Sequence, residues 1–187
     1  MKPAALLAVL GFASAGCTGI SERQVATQEA PVRNVPGLCL SGEQQVFGCD
    51  IAGGVAGVCL SDGKVHVRIR RRQPGDLSAS SNADWSNVHT FVNRSQGGLN
   101  QDRVRITEGS RHYVVYWGET GSLSESPGTI FAGAAVLDDS APREKIANYA
   151  CKPGSESGLR PISSIEGQAP ANWDGEEYSD GPFSGIF

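Results

Sequence analysis

Beyond its first dozen residues the chain has no apolar run approaching the roughly 20 residues that a membrane-spanning helix requires, which excludes a helical anchor within the body of the protein. It lacks G-x-S-x-G, H-E-x-x-H, a Walker A loop, a dinucleotide glycine fingerprint and an EF-hand loop, so none of those chemistries is written in a local motif. It has no C-x-x-C and no cysteine/histidine spacing of a zinc site, so neither a metal nor any other cofactor is expected. It lacks an excess of positive charge: with 16 Lys and Arg against 20 Asp and Glu the net charge is −4, which argues against a nucleic-acid binder. No helical periodicity lasts more than a turn or two, which argues against a helical bundle.

What is present begins with MKPAALLAVLGFASAGC. One early cation (Lys2), an uncharged run from Ala4 to Phe12 and small residues up to Gly16 make a secretory signal peptide over residues 1–16. Ala13-Ser14-Ala15 offers an A-x-A cleavage site, while Ser14-Ala15-Gly16-Cys17 is similar to a lipobox whose usual leading Leu is replaced by Ser14. Cysteine parity favours the second: the five cysteines are 17, 39, 49, 59 and 151, and lipidation of Cys17 leaves an even four for two disulfides. The chain is therefore expected to be exported to the cell envelope and anchored to a membrane through lipid on Cys17. A soluble periplasmic or secreted protein is the alternative.

Residues 17–36 have no sustained periodicity and end in proline, as a tether does. From Leu38 the pattern changes to short period-two runs broken every eight to twelve residues by Gly, Asp, Ser or Pro, the signature of an all-β domain over residues 37–152. Gln44–Cys49 and Val55–Leu60 form a hairpin around Gly53-Gly54. Ser61-Asp62-Gly63 then turns the chain into KVHVRIR, with Val65, Val67 and Ile69 on one face and Lys64, His66, Arg68 and Arg70 on the other. Residues 73–86 are a polar loop, and further strands are expected at 87–92, 103–107, 111–118, 129–137 and 145–151. About eight strands without crossover helices predict an antiparallel sandwich or small barrel, stapled by disulfides. Residues 153–187, rich in Gly, Ser, Pro and acid, are expected to be a largely disordered tail whose aromatics (Trp173, Tyr178, Phe183, Phe187) could instead clasp the sheet.

Four cysteines allow three pairings. A three-residue turn after Ile51 places Cys49 opposite Cys59, giving Cys49–Cys59 with Cys39–Cys151 as the preferred set; a two-residue turn slips the register and separates the first pair. The run Val46-Phe47-Gly48-Cys49, Gly53-Gly54, Val58-Cys59-Leu60-Ser61, Tyr113-Val114-Val115-Tyr116 and Ala132-Gly133-Ala134-Ala135-Val136 with Cys151 resembles a family of small exported proteobacterial proteins of unknown function. The resemblance covers about residues 43 to 152 and departs from the family pattern at Gly48, Val55 and Leu60. It implies export and a compact β domain, and no activity.

Candidate chemistry is sparse. His66 and His112 are expected to be exposed strand histidines rather than general bases, and His89 lies near Asp84 and Ser86 in sequence. The run Asp174–Asp180 could hold calcium weakly but lacks regular ligand alternation, and Asn93-Arg94-Ser95 matches a glycosylation sequon. Cations are the one concentrated feature: Lys64, His66, Arg68 and Arg70 share a strand face continued by Arg71 and Arg72, and Arg103, Arg105 and Arg111 decorate a second hairpin. Such charges ordinarily line a solvated sheet face. As a site they would make a flat basic patch for an anionic protein, lipopolysaccharide phosphate or a wall polymer. The function expected is a non-catalytic envelope lipoprotein that binds or assists, with an inhibitor or immunity protein as its specific form. An envelope hydrolase using His89, Asp84 and His112 is one alternative, and a purely structural envelope component the other.

Overall fold

The computed structural model describes residues 34–95, 97–138, 145–156 and 165–175. The leader, Cys17, most of the tether and the aromatic and acidic end beyond Gly175 lie outside the described residues.

The protein is all-β. Strands β1 (Gln44–Ile51), β2 (Gly54–Ser61), β3 (Lys64–Arg71) and β4 (Leu77–Ser80) form one antiparallel sheet in that order. Strands β5 (Val88–Arg94), β6 (Leu99–Glu108), β7 (Arg111–Thr120), β8 (Ile130–Asp138) and β9 (Lys145–Ala150) form the other. Each sheet is a meander, because every link is short enough for a hairpin or a loop between neighbours. Asp62 (φ 48°) and Gly63 (φ 69°) both take the left-handed conformation that a tight two-residue hairpin turn demands. The inner faces meet in one core: Val58, Val65, Val67 and Ile69 from the first sheet pack with Val104, Ile106, Val115 and Ala134 from the second. At one corner Ile51 bridges Cys151, and the Cys49–Cys151 disulfide ties the two sheets together.

Two expectations need correction and one is refined. The described residues form nine strands where about eight were expected: LSAS, inside the supposed polar loop 73–86, is β4, a short edge strand that buries only Ala79. The preferred disulfide pairing is wrong, since the bridges are Cys39–Cys59 and Cys49–Cys151. The turn after Ile51 has two residues, so Ile51 pairs Gly54, Cys49 pairs Ala56, and Cys59 ends on the opposite face of the sheet from Cys49. Finally, the folded unit is longer than 37–152. Val35 is buried, Ile165 is in the core, and Trp173 packs edge-on against the buried Trp85 with its Nε1 donating to Val88 O. Thr90 N also donates to Gly175 O, so residues 173–175 cover the free edge of β5, which otherwise would offer unpaired amides. The docking alternative thus holds for Trp173.

A further device shapes the outer face of the first sheet. Gly48 and Gly57 are cross-strand partners, and a Cβ on Gly57 would sit 2.1 Å from Phe47 O and 2.7 Å from Leu38 Cδ2. The missing side chains leave a dent that the fully buried Leu38 fills, letting residues 34–43 lie across the sheet.

Candidate anion-binding site

The cationic column of β3 is not a free surface. Lys64 is exposed, but the covering segment 34–43 engages its neighbours. Arg68 Nε donates to Glu43 Oε2 at 3.0 Å and its Nη2 to Glu43 Oε1, while Glu43 Oε2 also accepts from Leu40 N. Arg70 Nε donates to Leu38 O and its Nη1 to Asp76 Oδ2, both at 3.0 Å. His66 is buried rather than exposed, with Ser61 Oγ 3.0 Å from Nε2 and Ser80 Oγ 2.8 Å from Nδ1.

Burial opposes the charge on Glu43, but hydrogen bonds from Arg68 and Leu40 and the charges of Arg68 and His66 outweigh it and hold the carboxyl below its usual range. For His66, burial pushes the imidazole below its ordinary value, reinforced by Arg68 and Lys64 and only partly offset by Glu43.

Two outcomes follow. Changing Arg68 to Ser should cost about 1–3 kcal/mol in urea unfolding, because it strands a carboxylate that is only 6% exposed. An exposed cation would have cost almost nothing. Second, the folded protein binds a proton at His66 less readily than the unfolded chain. As pH falls below about 6.5 the unfolded state takes up the proton first, and stability declines. Glu43 adds a further loss at more acidic pH, as its carboxylate protonates. Urea midpoints of the wild type should fall between pH 7.5 and 5, and His66→Asn should flatten that slope; equal slopes would refute the assignment.

Arg103 and Arg105 lie elsewhere. On β6, Val104 and Ile106 face the core, so Arg103 and Arg105 point outward from the second sheet, away from the Lys64–Arg70 column. Both are buried. The Arg103 guanidinium sits 3.9 Å from the centre of the Phe91 ring, and Arg105 Nη1 donates to Thr107 Oγ1 and His112 Nδ1. His112 is likewise buried, contrary to expectation. The six residues expected to form one basic face therefore divide between opposite outer faces of the sandwich.

Cations do converge at one end of the first sheet. Arg70, Arg71, Arg72 and Lys152 line an open depression of about 620 Å³ together with Gly53, Gly54, Val55, Pro36 and Gly37; Asp76 is the one carboxylate among its described lining residues. Arg71 is fixed by its Nε bond to Gly75 O and by stacking 4.8 Å from the Tyr149 ring centre. Arg72 and Lys152 are exposed, and among the described residues neither has an ion-pair partner. The sequence marked Arg70–Arg72 but missed Lys152. That residue reaches the site because its amide donates to Asp50 O beside the Cys49–Cys151 bridge. A correct disulfide pairing was the only signal that could have found it.

The residues proposed for catalysis fare differently. Asp84, Ser86 and His89 line a hollow of about 190 Å³ with Trp85, Trp173 and Asp174, whereas His112 is two strands away on β7. Asp84 accepts from Ser86 N at 3.0 Å, and this bond, with one from the Ser86 side chain, lowers its pKa. The carboxylate thus closes a local turn. Among the described residues the one group of metal-ligating side chains is Cys39, Glu43 and Cys59, and its two cysteines are joined to each other. No helix among the described residues is long and apolar enough to cross a membrane. No family model, no curated protein and no solved structure matches this chain.

Proposed function

We propose that this protein is an exported, non-catalytic binding module of the cell envelope whose ligand carries phosphate or carboxylate groups held at the Arg70–Arg72 and Lys152 depression. The observation that carries this reading is the convergence of four cations on one carboxylate around an open concavity, two of them without an ion-pair partner among the described residues. Two disulfides suit an oxidising compartment. They also consume four of the five cysteines, which leaves Cys17 as the odd one and supports lipid attachment there. Anchoring would hold the domain close to anionic headgroups and polymers, where each added cation contributes about 1 kcal/mol.

The test is binding to lipopolysaccharide, to phosphatidylglycerol vesicles and to neutral phosphatidylcholine vesicles as salt is raised. Binding to an anionic surface should weaken with salt as screening increases, and Arg72→Ser with Lys152→Ser should weaken it roughly thirtyfold without loss of fold. Equal binding to neutral vesicles, or indifference to both salt and substitution, would refute the reading. A hydrolase is the second reading, supported by the shared hollow of Asp84, Ser86 and His89.

A further inference from the structure

The two disulfides sit in different chemical settings. Cys49 is fully buried among Val, Ile and Ala side chains of the core. Cys59 lies on the outer face of the first sheet, directly across from His66 on β3. The segment carrying Cys39 returns over the same spot with Glu43. The sulfurs of Cys39 and Cys59 and a Glu43 carboxylate oxygen all lie within 4.8 Å of one another, and His66 Nε2 is 3.9 Å from Glu43 Oε1. Reduction would give two thiolates beside this carboxylate oxygen, three donors of the kind zinc takes, and His66, whose Nε2 now lies 3.0 Å from Ser61 Oγ, would exchange that contact for the fourth position.

We propose that Cys39, Glu43, Cys59 and His66 form a zinc site that the Cys39–Cys59 disulfide masks, so that reduction switches this face from a covalent staple to a metal centre. A disulfide sulfur carries no charge to give the metal, whereas reduction yields two thiolates. The surroundings fit the loaded state. Ser80 Oγ, 2.8 Å from His66 Nδ1, would hold the ring by its far nitrogen while Nε2 exchanges Ser61 Oγ for the metal. Zinc with two thiolates and a carboxylate carries one net negative charge, which Arg68, already on Glu43, balances. The bridge can be reached, because Cys39 is only partly buried.

The switch balances with a small dithiol as reductant. Its first thiolate attacks Cys39 Sγ, the Cys39–Cys59 bond breaks, and Cys59 leaves as thiolate beside His66 and Arg68. The second thiol then closes the reagent's own disulfide and frees Cys39. Two electrons pass from dithiol to protein, the dithiol's two protons are released as zinc takes both thiolates, and zinc keeps its oxidation state.

The test uses the full chain, reduced with dithiothreitol, freed of reagent without air and titrated with Co²⁺. One equivalent should bind with sulfur-to-cobalt charge-transfer and tetrahedral ligand-field bands, and the oxidised protein should show neither. His66→Ala and Glu43→Gln should each weaken binding about tenfold or more, and Cys39→Ser with Cys59→Ser should abolish the charge-transfer band. In case Glu43→Gln loosens the fold, the wild type alone supplies a second readout: zinc should protect Cys39 and Cys59 of the reduced protein from alkylation. Absence of thiolate bands, survival of the bands in the double serine variant, or alkylation indifferent to zinc would overturn the proposal.

Discussion

Replacing Cys49 and Cys151 together by alanine is expected to lower stability by about 4–5 kcal/mol, more than any other change to the staples. The bridge spans 102 residues and joins the two sheets at the corner where Ile51 meets Cys151, so its loss frees a long loop in the unfolded chain. It also removes sulfur from a packed core. The Cys39–Cys59 bridge closes only 20 residues, and its removal should cost about 3 kcal/mol. Urea unfolding of both double variants measures the difference. Equal losses, or a greater one for the shorter loop, would mean that the inter-sheet bridge is not the principal staple.

Trp85→Ala should cost about 3–5 kcal/mol. The indole is fully buried although its backbone adopts φ 56°, its Nε1 donates to Gly63 O at 2.6 Å, and Trp173 packs edge-on against it at 5.8 Å. It therefore fixes three things at once: the β2–β3 turn, the crossing from the first sheet to the second, and the docking of residues 173–175. Chemical denaturation followed by fluorescence should show the loss, and amide exchange at Thr90, which donates to Gly175, should quicken along with it. A cost below about 1 kcal/mol would show that the ring merely fills space that neighbours can take up.

Local patterns carried most of the fold. The alternation in KVHVRIR places Val65, Val67 and Ile69 in the core, and Asp62-Gly63 turns the hairpin before it. The misses share a cause: each depended on contacts distant in sequence. LSAS follows Pro74 and Gly75 and has a single inward alanine, too short a period to distinguish from loop. Trp85 and Trp173 sit in polar stretches, and the partners that hold them at the core, each other and the carbonyls of Gly63 and Val88, are distant in sequence or invisible in a local pattern. The disulfide pairing turned on one residue of turn length, which decides the face on which a cysteine emerges.

The site was legible in part for the same reason. Arg70, Arg71 and Arg72 are consecutive and were visible as a cluster, but Lys152 arrives from beyond β9. Conversely, the column Lys64–Arg70 and the pair Arg103–Arg105 looked alike as charge on strands. Only the packing of two sheets back to back shows that they face apart, and only residues 34–43 show that Arg68 is a structural partner of Glu43.

The claim that anions bind at the end of the first sheet is tested most directly by amide chemical-shift mapping of the protein during titration with inorganic polyphosphate. Shifts are expected at Gly53, Gly54, Arg70–Arg72 and Lys152, fading as salt is added, with Arg103 and Arg105 unmoved. Shifts centred on Arg103 and Arg105, or spread evenly over every exposed cation, would contradict it.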